Sequence, residues 1–169
     1  MKRFICAIFA VLLIFAGIQI IGCGGGGGDS SASMTPEELE VAAVVDSFVA
    51  SVRAENIDDA KKFIDSNLYY YRIGNIIERG PEFEARLKNF FDAADIVDFS
   101  VDGMGVTVSS EDFAEVRGRL EAIYSFTGQP KATFSEDIRI KLERISGQWG
   151  LTEFCRDATD AGSAFPPLP

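Results

Sequence analysis

With no histidine in its 169 residues, the chain can run chemistry only on carboxylates, tyrosines or lysines. Ser-His-Asp triads, Cys-His dyads and histidine zinc sites are excluded. Two acids draw attention because each interrupts an apolar alternation: Glu136 shares a strand face with Phe134, Ile138 and Ile140, and Glu153 shares one with Trp149, Leu151 and Cys155. If Ser146-Gly147 is a two-residue turn, Ile140 lies opposite Glu153 and both carboxylates point to one side, as does Tyr124. Carboxyl groups set in apolar surroundings act as general acids or bases without a metal. Tyr124, Glu136, Trp149 and Glu153 are therefore the candidate pocket. A solvated Glu near a strand end is the simpler reading, and no residue is assigned as catalytic.

Other constellations carry less. Asp92, Asp95, Asp98 and Asp102 straddle a helix end and a strand and lack the alternating spacing of a calcium loop, so no metal is expected. No cofactor motif is present either. Tyr69-Tyr70-Tyr71 could stack on a ligand, but tyrosines beside a core are ordinarily half-buried packing. Cys155 reads as a small strand hydrophobe. The Phe165-Pro166-Pro167-Leu168-Pro169 end reads as a flexible tail over residues 157–169, with a docking peptide as the alternative.

The first segment supplies an address. Lys2 and Arg3 precede an apolar run over residues 4–21, and Ile20-Ile21-Gly22-Cys23 is followed by five glycines. This resembles a bacterial lipoprotein signal peptide, with residues 1–22 removed and Cys23 acylated to anchor the chain in the lipid bilayer. A retained single span is the rival reading, since a run of eighteen residues just reaches transmembrane length. In either case Lys2 and Arg3 hold the N-terminus in the cytoplasm and send the rest across. The resemblance implies a periplasm-facing protein, and Gly24 after the cysteine implies sorting to the outer membrane. Residues 23–34 form the lipidated cysteine and a Gly/Ser-rich linker. Losing Lys2 and Arg3 from sixteen basic side chains leaves fourteen against twenty-six acidic ones, a net charge of −12. That balance argues against nucleic acid. With Cys6 removed and Cys23 acylated, Cys155 has no partner for an internal disulfide.

Behind the linker the periodicities divide. Thr35-Pro36-Glu37-Glu38 is a capping-box start, and Val41, Val44, Val45, Phe48, Val49 and Val52 predict a helix to about Glu55. Asn56 or Asp58 caps a second helix whose stripe is Ala60, Phe63, Ile64 and Leu68. Gly80-Pro81 opens a third, with Phe83, Leu87, Phe90, Phe91 and Ala94 inward. From Ile96 the period is two, and Asp102-Gly103 predicts a hairpin turn. A long strand over 113–126 turns at 127–130 into a partner carrying Phe134, Ile138, Ile140 and Leu142, and Ser146-Gly147 leads into the last strand, ending at Arg156. Gly118, on the apolar side, marks a bend or close backbone approach.

These elements make an α+β domain over residues 35–156, three helices on one side of a curved antiparallel sheet. Their order, the long central strand and Ile145-Ser146-Gly147-Gln148-Trp149-Gly150-Leu151 resemble the nuclear transport factor 2-like superfamily, which includes SnoaL-like proteins and ketosteroid isomerase. The alternative is another helix-covered sheet, cystatin-like or specific to lipoproteins. The resemblance implies a cone that binds a ligand, catalyses, or is simply filled. The expected function is a non-catalytic ligand-binding or protein-interaction module, with a small molecule, a periplasmic protein or a second copy as partner. The competing reading is a metal-free isomerase or dehydratase using the pocket carboxylates. The first helix lacks the tyrosine that serves the isomerases as oxyanion donor.

Overall fold

The structure is a computed structural model that describes residues 33–72, 76–156 and Pro166, with the side chains of 71, 72 and 76 excepted. The expected signal peptide, Cys23, the linker up to residue 32 and nearly all of the tail lie outside the described residues.

Helix α1 (Pro36–Arg53) begins as its sequence dictates. The Thr35 hydroxyl accepts from the Glu38 amide at 3.2 Å, and the Thr35 amide donates to the Glu38 carboxylate at 2.7 Å. Val41, Val45, Phe48 and Val52 form its buried face. Helix α2 (Ile57–Ala60), capped by Asn56, is a single turn continued by a short 3₁₀ turn at Lys61–Phe63. The expected stripe through Ile64 and Leu68 instead belongs to strand β1 (Ile64–Arg72). Residues four apart share a face in a helix and also in a strand, so Ile64 and Leu68 satisfied both periods. Tyr70, buried at the next alternate position, decides for the strand.

Strand β2 (Ile76–Arg79) runs straight into helix α3 (Gly80–Ala93), which buries Phe83, Leu87 and Phe90. Gly80 sits so close to the backbone of Asp65 and Ser66 that a Cβ would collide with it. Strand β3 (Ala94–Ser110) then pairs with β4 (Phe113–Phe126) along its whole length. The hairpin expected at Asp102-Gly103 is a β-bulge: Asp102 faces Arg119 and Gly105 faces Arg117, so one extra residue is absorbed, with Gly103 at φ +62°. A glycine in the left-handed region suits a tight hairpin and this type of bulge equally, which is why the dipeptide misled. Gly118 does mark a close approach, since a Cβ there would lie 2.7 Å from Val101 Cγ1.

Strand β5 (Ala132–Ile145) and strand β6 (Gln148–Arg156) complete a six-stranded sheet in the order β2-β1-β6-β5-β4-β3. The sheet is mixed rather than purely antiparallel, because β1 lies parallel to β6. Ser146 and Gly147, at φ +53° and +83°, form the expected two-residue turn. Helices α1 and α3 cover the inner face, where Phe48, Tyr70, Phe83 and Phe154 cluster with ring centroids 4.6–6.4 Å apart. The fold is α+β, as expected, with three helices on a curved, unclosed sheet.

Candidate functional site

Tyr124, Glu136 and Trp149 all take the inner side of the sheet, but they are strung along it. Tyr124 pairs with Ala132, Glu136 lies four residues further along β5, and Trp149 pairs with Arg144 eight residues beyond that. At about 3.3 Å per residue, these intervals are about 13 and 26 Å. Between them the surface is filled by Ile138, Ile140, Leu142 and Phe154, none more than 1% exposed. Tyr124 is itself buried, edge-on to Phe90 and Phe126 at 5.4 Å each. That burial pushes its phenol pKa up. Trp149 is covered by the Arg144 guanidinium, 4.7 Å from its ring, and its indole N–H is buried without an acceptor among the described residues. Arg144 in turn donates to Glu40 at 3.0 Å, tying the last hairpin to α1.

Glu136 points inward, as expected, but at the rim, where Arg156 donates to it at 2.5 Å. Glu153 does not point inward. The β5–β6 register slips by one: Leu142 faces Leu151 and Lys141 faces Glu153, so Thr152 is an extra residue. A one-residue slip exchanges the faces of everything after it. Phe154 thereby enters the core, while Glu153 and Cys155 move to the outer face. There Glu153 accepts from Arg139 Nη2 and Lys141 Nζ, each at 2.9 Å, and Cys155 Sγ lies 3.7 Å from its Oε1. The expectation that both acids face one pocket is corrected by this bulge, which no local signal at Thr152 announces.

Arg139 and Lys141 alternate with the apolar residues of β5 and so take its outer face, but their convergence on Glu153 depends on the bulge in β6. The pairing of Arg86 with Glu78 was also missed. It is bidentate at 2.6 and 2.7 Å, nearly buried, and ties β2 to α3. Residues eight apart in different elements offer no period to read. Of the four acids considered for calcium, Asp92 is bonded to Lys88 and Asp98 to Arg53. Among the described residues, no three acids or cysteines converge on a metal position.

The depressions lie at the periphery. One of about 570 Å³ adjoins the start of α1, beside Glu37, Glu40, Glu111 and Arg144. Another of about 460 Å³ lies on the outer face, between Asn67, Tyr69, Lys141, Thr152 and Glu153. Tyr124 and Glu136 line neither. Chemically, the outer depression offers a half-exposed phenol ring, an amide, an ammonium and carboxylates. That set suits reversible polar contacts, because its one shielded carboxylate is already held by two cations.

No family model and no curated protein matches the chain. Solved structures do. A protein provisionally assigned as a scytalone dehydratase, from Novosphingobium aromaticivorans, is 13% identical, with a TM-score of 0.64 over 78% of this chain and 95% of that one. A ketosteroid isomerase-like protein from Erwinia carotovora atroseptica is 14% identical, with a TM-score of 0.61 over 72% and 95%. The association domain of C. elegans CaMKII is 12% identical, with a TM-score of 0.57 over 70% and 92%. At such identities the likeness concerns architecture alone, and with the helix order and sheet described above it shows that this chain has the nuclear transport factor 2-like fold.

Proposed function

We propose that the chain is an extracytoplasmic lipoprotein, anchored through acylated Cys23 at the outer membrane and facing the periplasm, whose domain is a non-catalytic interaction module. The observation that carries the domain reading is the filled inner face: aromatic and aliphatic side chains occupy the space between helices and sheet, and both candidate carboxylates are held by cations. The partner-facing surface is the outer depression beside Tyr69 and Lys141. The lipoprotein reading rests on Ile20-Ile21-Gly22-Cys23.

The dehydratase and isomerase names of similar structures support a second reading, catalysis on the inner face through Glu136. Native mass spectrometry of the membrane-extracted protein separates the two. Wild type and E136Q are expected to carry the same species, while Y69A with K141E loses a bound partner. A small molecule present on wild type and lost with E136Q would move the site to the inner face. The same spectra test the anchor: the mature mass should begin at an acylated Cys23, and a chain retaining residues 1–22 ends that part of the proposal.

A further inference from the structure

Among the described residues, the two most exposed large apolar side chains are Leu39, at 56%, and Phe113, at 51%, and both lie at one end of the domain. Leu39 stands at the start of α1. Phe113 opens β4 and is turned outward because its neighbour Ala114, paired with Leu142, takes the inner face. Phe113 pairs with Glu143, which makes the exposed Ile145 its diagonal neighbour on the outer face. These elements are tied together. The Arg144 guanidinium donates to Glu40 on α1, and the Arg144 amide donates to the Asp112 carbonyl in the β3–β4 turn, each at 3.0 Å. The depression of about 570 Å³ opens between them, beside Glu37, Ser110 and Glu111. Single exposed apolar residues are ordinary, whereas several on one braced end mark a contact surface.

We propose that this end of the domain, formed by the start of α1, the β3–β4 turn and the end of β5, docks a basic segment of a partner protein that carries apolar side chains among its lysines or arginines. Leu39, Phe113 and Ile145 are the apolar anchors, which bind by leaving water. Charge selects the partner. Glu37, Glu111 and Asp112 are exposed and form no ion pair among the described residues, and the one cation at the depression, Arg144, is already held by Glu40. Carboxylates around an apolar patch favour a cationic partner and repel an anionic one. A second copy would bring the same carboxylates against these, and an anionic lipid surface or nucleic acid would meet the same repulsion. The surface is separate from the outer depression beside Tyr69 and Lys141, which it meets at Ile145.

The probe is a fluorescein-labelled synthetic peptide, Lys-Leu-Lys-Phe-Lys-Leu-Lys, read by fluorescence polarisation. The full-length protein is held in phosphatidylcholine nanodiscs with empty discs as background, so the assay is indifferent to how the chain is anchored. Saturable binding is expected. L39S/F113S should weaken it at least tenfold, as should E37Q/E111Q/D112N, which keeps the apolar anchors and tests the charges apart from them. V97S/I123S removes apolar surface at the far end of the β3–β4 ladder and should leave binding in place. The same peptide with Ser for Leu and Phe should bind at least tenfold more weakly, and with Glu for Lys it should not bind. Equal binding of wild type and L39S/F113S, or of the apolar and Ser-bearing peptides, would leave only diffuse acidic charge and overturn the proposal. A dimer of the wild type that L39S/F113S abolishes would assign the patch to a second copy and overturn it as well. Y69A/K141E is expected to keep the peptide, and its loss there would move the site to the outer depression and overturn this one.

Discussion

Glu136 and Glu153 look alike in the sequence and differ in what removing their charge costs. Glu136 and Arg156 are each about a third exposed, at 30% and 37%, so their attraction is screened by water. E136Q is expected to change stability by less than about 1 kcal/mol. Glu153 is mostly shielded and holds two cations, so E153Q removes the charge that both Arg139 and Lys141 face and should cost about 1–3 kcal/mol. Urea unfolding of both variants measures the difference, and equal effects would contradict the contrast in burial. Tyr124 gives a pH test. Its pKa is raised in the folded state above the ordinary value of about 10 by desolvation, so the unfolded chain releases this proton first as pH rises. The contribution is fully present below pH ~10 and is lost above it. Wild type should therefore lose melting temperature above pH 10 more steeply than Y124F. Glu136 and Tyr124 could be placed on the inner face from alternation alone, whereas the salt bridge at the one and the ring contacts at the other depend on where separate strands end.

At the scale of elements, single residues decide which face a strand shows. Thr152 is the extra residue of the β6 bulge, and deleting it would join Leu151 directly to Glu153, closing the bulge while leaving Leu151 and Phe154 inward and Glu153 outward. The deletion should therefore keep a cooperative thermal transition, as should T152A, which keeps the bulge; loss of cooperative unfolding on deletion alone would show that the bulge itself is needed to seat β6. The Glu78–Arg86 pair is a further test, because both side chains are nearly buried, at 13% and 11% exposed. Arg86 also lies 5.9 Å from the Tyr70 ring. E78Q should destabilise by about 3 kcal/mol by leaving the guanidinium uncompensated. Adding R86M to it should recover much of that loss in a double-mutant cycle, and an additive result would show the pair is uncoupled. Helix starts were readable here because Thr35, Asn56 and Pro81 act on their own neighbours. The bulges at Gly103 and Thr152 were not, since a bulge is a property of two strands and only one is written locally.

For the whole molecule, the long outer edge of the sheet is its main exposure. Among the described residues, strand β3 has no neighbour beyond it, and seventeen residues of open backbone would invite pairing with other chains. Three register irregularities along its ladder with β4 break the regular row of donors and acceptors, and the net negative charge adds repulsion between copies. The opposite side of the sheet carries a different consequence. Strand β1 is flanked by the four-residue β2 and by β6, and its parallel partner begins only where Ile64 meets Leu151. During synthesis almost the entire domain must emerge from the ribosome before that pairing can form, and closing so long a loop is slow. A chain interrupted anywhere before β6 holds a first strand with half its ladder empty. Folding of the first strand therefore waits on β6, the last strand of the sheet to be made.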